Sequence, residues 1–81
     1  MLLYFEFEEK RRKADVTWPK NNDTIIVHVT DRELIKEMPS DLYFEIKGGS
    51  KITFVEEDPA NKRLSQLQKM IGRRLQELQN K

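Results

Sequence analysis

His28 is the one histidine of the chain and there is no cysteine. Thiol catalysis, disulfides, cysteine-bound zinc and iron–sulfur clusters are therefore excluded, and any imidazole chemistry would have to pass through a single ring. That ring falls in a β-branched run on the face of Ile26 and Thr30, where a packed or half-exposed structural histidine is the simpler reading than a general base. Ser40, Ser50 and Ser65 sit in turn or helix contexts with no histidine near them in sequence, which leaves them without an activating base. Carboxylates come in two runs, Glu6, Glu8 and Glu9, then Glu56, Glu57 and Asp58. A metal site would have to be built from these alone, and they read as a solvated strand edge and as helix N-terminal charge. Gly48-Gly49-Ser50 lacks the spacing and the lysine-hydroxyl ending of a phosphate loop. No metal and no cofactor is assigned.

One short pattern carries an enzymatic implication. Glu45-Ile46-Lys47, with Asp31 or Asp41 upstream, resembles the E-x-K half of the metal-dependent signature of restriction-endonuclease-like nucleases. The resemblance implies carboxylates that hold magnesium and a lysine that polarises the attacking water. It covers three residues, and Gly48-Gly49 turns the chain where those longer domains continue. The expectation is a non-enzymatic protein, with a magnesium nuclease using Glu45 and Lys47 as the remote alternative.

Charge is the more informative chemistry. Fifteen Lys and Arg against fourteen Asp and Glu give a net charge of +1, but the balance is +5 from residue 59 onward and −4 before it. Five of the distal bases, Lys62, Arg63, Lys69, Arg73 and Arg74, fall on a helical stretch. At 100° per residue Lys62, Lys69 and Arg73 cluster opposite the apolar stripe, with Arg63 and Arg74 flanking it. Such a ridge is a candidate polyanion surface, each neutralised phosphate releasing counterions. The plainer reading is a solvated helix face complementary to an acidic surface. A second cluster, Lys10 to Lys13 near Trp18 and Lys20, has the cations and the aromatic that single-stranded nucleic acid uses. Glu6, Glu8, Glu9 and Asp15 surround it, so a charged hairpin tip beside a core tryptophan is expected there.

The elements that must position these residues follow from periodicity. Leu3, Phe5 and Phe7 alternate with Tyr4, Glu6 and Glu8, which predicts a strand interrupted by charge from Glu9 to Lys13. Ala14, Val16 and Trp18 predict a second strand that stops at Pro19. Lys20 to Asp23 is turn chemistry, and Ile25, Val27 and Val29 predict a third strand. Thr30 and Glu33 form a capping-box pattern that opens a short helix with Leu34, Ile35 and Met38 on its apolar side, ended by Pro39. Leu42, Phe44 and Ile46, then Ile52 and Phe54, predict a hairpin across Gly48 and Gly49. Asp58 and Pro59 suit a helix start, after which Leu64, Leu67, Ile71, Leu75 and Leu78 recur at helical spacing.

Eighty-one residues make one domain near the size at which a single core suffices. The sheet-forming part is expected over 1–57 and the C-terminal helix over 59–80. The predicted class is α+β: a mostly antiparallel sheet of four to five short strands, a short connecting helix, and a long amphipathic helix packed on one face. A helix of about 34 Å overhangs a strand of about 20 Å, and Gly72 sits mid-helix at a cost of about 1 kcal/mol. Together these suggest that Ile71 to Leu78 also pair with a second copy. The functional expectation is a binding or assembly module acting through protein–protein contacts, homodimeric through that helix, with nucleic-acid binding by its basic face as the alternative. No run approaches the ~20 apolar residues of a membrane span, and the early charge of Glu6 argues against a secretion signal. The chain therefore reads as cytoplasmic and unprocessed.

Overall fold

The computed structural model describes residues 1–20, 23–49, 51–55 and 60–79. Expectations resting on Asn21, Asn22, Ser50, Glu56, Glu57, Asp58, Pro59 and Lys81 lie outside the described residues. The elements are β1 (Leu2–Phe7), β2 (Lys10–Thr17), β3 (Thr24–Val29), α1 (Arg32–Ile35), β4 (Asp41–Lys47), β5 (Lys51–Phe54) and α2 (Lys62–Gln79). The strands form one antiparallel sheet in the order β1-β2-β3-β4-β5, and α2 lies against both edge strands. The α+β class is as expected.

Strand period decides which side chains the sheet buries. Leu3, Phe5, Phe7, Ala14, Val16, Ile25, Val27, Val29, Leu42 and Phe44 point to one face and are buried there. The stripe of α2 covers them: Leu64, Leu67, Ile71 and Leu75 are buried in the same cluster, and Leu78 packs against it with Trp18, Ile46, Ile52 and Phe54. Phe44 is fully buried and meets the Phe54 ring edge-on at 6.3 Å. Apolar area removed from water on this one face is what holds the domain.

The helix also closes the sheet. Ile52 lies opposite Ile46, whose own amide donates inward to the Asp23 carbonyl at 2.9 Å, so the Ile52 amide faces the free edge of β5. There it donates to Gln76 Oε1 at 2.9 Å. On the other edge Arg74 Nε donates to the Tyr4 carbonyl of β1 at 3.3 Å. Unpaired strand edges invite association with other chains, and here side chains of α2 occupy part of each.

Four expectations are corrected. Lys10 to Lys13 do not interrupt the first two strands but open β2, and the turn is only Glu8 and Glu9, with φ of 55° and 63°. These are the left-handed values of a two-residue hairpin loop, which glutamate adopts against its preference. The cap of α1 is Asp31, whose Oδ1 accepts from the amides of Glu33 at 3.0 Å and Leu34 at 3.1 Å. Thr30 instead donates its hydroxyl to the Lys13 carbonyl at 3.2 Å, tying β2 to the chain beyond β3. α2 begins at Lys62, with Asn61 Oδ1 accepting from the Leu64 amide at 3.0 Å. At 18 residues it runs about 27 Å, about what the eight residues of β2 span at ~3.3 Å each, so the described helix is no longer than the longest strand.

Gly72 faces Phe44, yet a methyl group added there would stand 3.5 Å from the nearest ring atom, an ordinary contact. Gly72→Ala is therefore expected to stabilise the domain by about 0.5–1 kcal/mol, since it removes the entropic cost of glycine in a helix without a clash. A thermal melt reads this as a rise of several degrees. A fall would mean that the helix cannot accept even one more carbon against the sheet.

Candidate functional site

With one sheet face covered, the other carries what remains to be recognised. Alternation sends Leu2, Tyr4, Ile26, Tyr43 and Val55 outward, and all five are exposed. Register groups three of them in a row: Ile26 lies opposite Tyr43, and the Val55 amide donates to the Tyr43 carbonyl at 3.0 Å. Next to this row Asp15, His28 and Asp41 lie side by side across β2, β3 and β4. His28 Nδ1 stands 2.6 Å from Asp41 Oδ1, and the N-terminal ammonium of Met1 bonds Asp15 at 3.0 Å. At the far end of β4 and β5, Lys47 and Lys51 form a pair. Across β3, β4 and β5 the face is thus an apolar row with Asp15 and Asp41 on one side and, beyond Glu45, Lys47 and Lys51 on the other, while Arg11 and Lys13 continue the face along β2.

The β1–β2 hairpin end is organised by a buried cation. Arg12, with its side chain 2% exposed, donates to Asp31 at 3.1 Å, Glu33 at 3.2 Å and Glu8 at 3.4 Å, and its Nε donates to the Phe7 carbonyl at 3.3 Å. Lys10 joins Glu33 at 2.9 Å, while Arg63 of α2 binds Glu8 at 2.8 Å and also pairs with Glu37. Hairpin, α1 and the start of α2 are held together by this network. The hydrogen bond from Arg63 keeps the Glu8 carboxyl below its ordinary value of 4.5, and those from Lys10 and Arg12 do the same for Glu33. Glu8 in turn raises Arg63.

A depressed folded-state carboxyl means that the unfolded chain binds more protons in the acid range. The stabilisation is therefore present above the ordinary value and lost as pH falls through the folded one. Urea titrations from roughly pH 7 to pH 3 should show a loss of stability that sets in below about pH 4.5 and is shallower in Glu8→Gln. An equal slope in the variant would show that Glu8 does not carry it.

The basic ridge keeps its centre and loses its flanks. Arg63 is spent on Glu8 and Glu37, and Arg74 on Glu77 at 2.6 Å and on the Tyr4 carbonyl. Lys62, Lys69 and Arg73 stay exposed. Leu64, Leu67, Ile71 and Leu75 are consumed by the chain's own core and Leu78 packs on its margin, so the stripe offers little to a second helix. Trp18 is half-buried against the core while Tyr43 is on the outer face, so the two rings do not lie on one surface.

Cations do converge where the sequence alone does not show it. The Arg11 guanidinium carbon sits 4.7 Å from the centroid of the exposed Tyr4 ring, and Lys13 is the cross-strand neighbour of Tyr4. Two open grooves meet at this pair. One, of about 410 Å³, includes Lys13, Thr30 and Arg32; the other, of about 510 Å³, includes Met70, Arg73 and Arg74. The only signal for it in the sequence is the hairpin register, which a turn of two glutamates conceals.

Catalytic groups are not gathered in the same way. Asp41 and Glu45 lie four residues apart on β4, about 13 Å along a strand. Asp31 caps α1 and holds Arg12. Among the described residues no group of three His, Cys, Asp or Glu side chains is placed to hold a metal ion, and no helix is long and apolar enough to cross a membrane. Comparison of the chain with protein-family models, with curated proteins and with solved structures finds no match.

Proposed function

We propose that this chain is a small non-enzymatic assembly module that acts through protein–protein contacts, pairing with a second copy of itself across the outer sheet face. The observation that carries the reading is the exposed row of Ile26, Tyr43 and Val55 on a sheet whose other face is already covered. Tyrosine in particular combines large contact area with low entropy cost at interfaces. Charge supplies the second argument. A two-fold axis lying in the interface and running across the strands sets the Asp15 and Asp41 end of one copy over the Lys47 and Lys51 end of the other, a self-complementary arrangement. An interface of ~800 Å² per partner would take about a seventh of the 5646 Å² surface.

Sedimentation equilibrium tests this. Wild type should show concentration-dependent dimer, and Tyr43→Glu should be monomeric with an unchanged melting temperature, because Tyr43 is outside the core. Asp41→Lys and Lys47→Glu should each weaken the dimer, and the two together should restore it. A wild type still monomeric at about 1 mM, where an association of about −4 kcal/mol would register, removes the proposal.

A further inference from the structure

We infer that the groove pair around Tyr4 and Arg11 is a binding site for single-stranded nucleic acid. Four cations around the hairpin are neutralised: Lys10, Arg12, Arg63 and Arg74 all have carboxylate partners. Four cations beside them are different. Among the described residues Arg11, Lys13, Arg32 and Arg73 make no ion pair, although the chain as a whole carries almost no net charge. All four line the two grooves that meet at Tyr4.

Their arrangement is a track. Arg11 and Lys13 are alternate residues on the same face of β2, about 7 Å apart along the strand. Arg32 flanks the first groove, and Arg73 extends the line along the second. A phosphate cluster on a folded peptide wants a focused pocket, whereas cations spaced along connected grooves suit an extended polyanion. Between the grooves the guanidinium of Arg11 lies over the Tyr4 ring, which holds it flat, and its outer face is a surface on which a base can stack. Stacking needs a free base face, which single strands have and duplexes do not. The acids nearby are largely engaged: Asp31 by Arg12 and the α1 amides, Glu77 by Arg74. Glu6, the cross-strand neighbour of Arg11, remains and limits affinity.

Fluorescence anisotropy with a labelled oligothymidylate tests the site. Neutralising four phosphates of a single strand should weaken binding about 50-fold between ~50 mM and ~200 mM salt, and the matching duplex should bind more weakly. Arg11→Glu with Lys13→Glu should lose at least ten-fold and flatten the salt dependence. Tyr4→Ala should lose about five-fold or more with the salt slope retained, while Tyr4→Phe keeps affinity. Lys47→Glu with Lys51→Glu, at the other end of the sheet, should leave binding unchanged, as should Tyr43→Glu, so failure of the dimer and failure of this site are separable. Absence of binding at ~50 mM salt, equal loss in the Lys47 and Lys51 variant, or tighter binding of a phosphopeptide of equal charge would each overturn the assignment.

Discussion

Arg12→Leu is expected to destabilise the domain by about 3 kcal/mol, toward the lower end of the ~3–5 kcal/mol that follows when one partner of a buried ion pair is removed. The lower end applies because Glu8 and Glu33 are partly in water, whereas Asp31 is more enclosed. The leucine would fill most of the space and leave three carboxylates facing one another around an apolar side chain. It would also leave the Phe7 carbonyl without the donor it now has. For a domain of this size such a loss lowers the melting temperature by about 15 °C. The same electrostatics make the effect depend on pH. As Glu8 and Glu33 protonate, the repulsion they add in the variant disappears, so the gap between wild type and variant should narrow toward pH ~3. A constant gap would mean that Arg12 acts by packing and not by charge.

Ile71→Asp is expected to abolish folding. Ile71 is fully buried on the helix face that covers the sheet, so the change forfeits ~2–5 kcal/mol of aliphatic packing and adds an unpaired buried carboxylate. An 81-residue domain has roughly 4–12 kcal/mol in total at ~0.05–0.15 kcal/mol per residue. Circular dichroism should show no cooperative transition, at any protein concentration. Lys69→Asp, on the exposed face of the same helix, should change stability by less than about 0.5 kcal/mol. A folded, monomeric Ile71→Asp would instead place the stripe between two copies, as helix spacing alone suggests.

The two variants mark where sequence reading succeeds and where it stops. Alternation in β1, β3 and β4 and the helical spacing of the leucines are set by how many residues separate apolar side chains, and that count is local. Gly48 and Gly49 were legible for the same reason, and both adopt positive φ, 61° and 79°. The Glu8-Glu9 turn was not, because its conformation is held by Arg12 and Arg63 from elsewhere in the chain and not by residues that prefer it. Once that turn is missed, Lys10 to Lys13 look like loop, Arg12 looks like surface, and the proximity of Arg11 to Tyr4 is invisible. Thr30 and Asp31 compete for the same cap on equal local terms, and Arg12 settles the competition by bonding the aspartate. The wheel placed Lys62, Lys69 and Arg73 on the exposed side, but it shows only which side a residue occupies and not whether a distant acid reaches it, as Glu8 of the hairpin turn reaches the flanking Arg63.

The reading of the outer sheet face as the contact surface is tested most directly by backbone amide shifts followed through a dilution series. Concentration-dependent shifts are expected at Ile26, Tyr43 and Val55, extending to Asp41 and Lys47, with Ile71 and Leu75 unmoved. Shifts centred on Lys69 and Arg73 of α2, or none from about 1 mM downward, would contradict it.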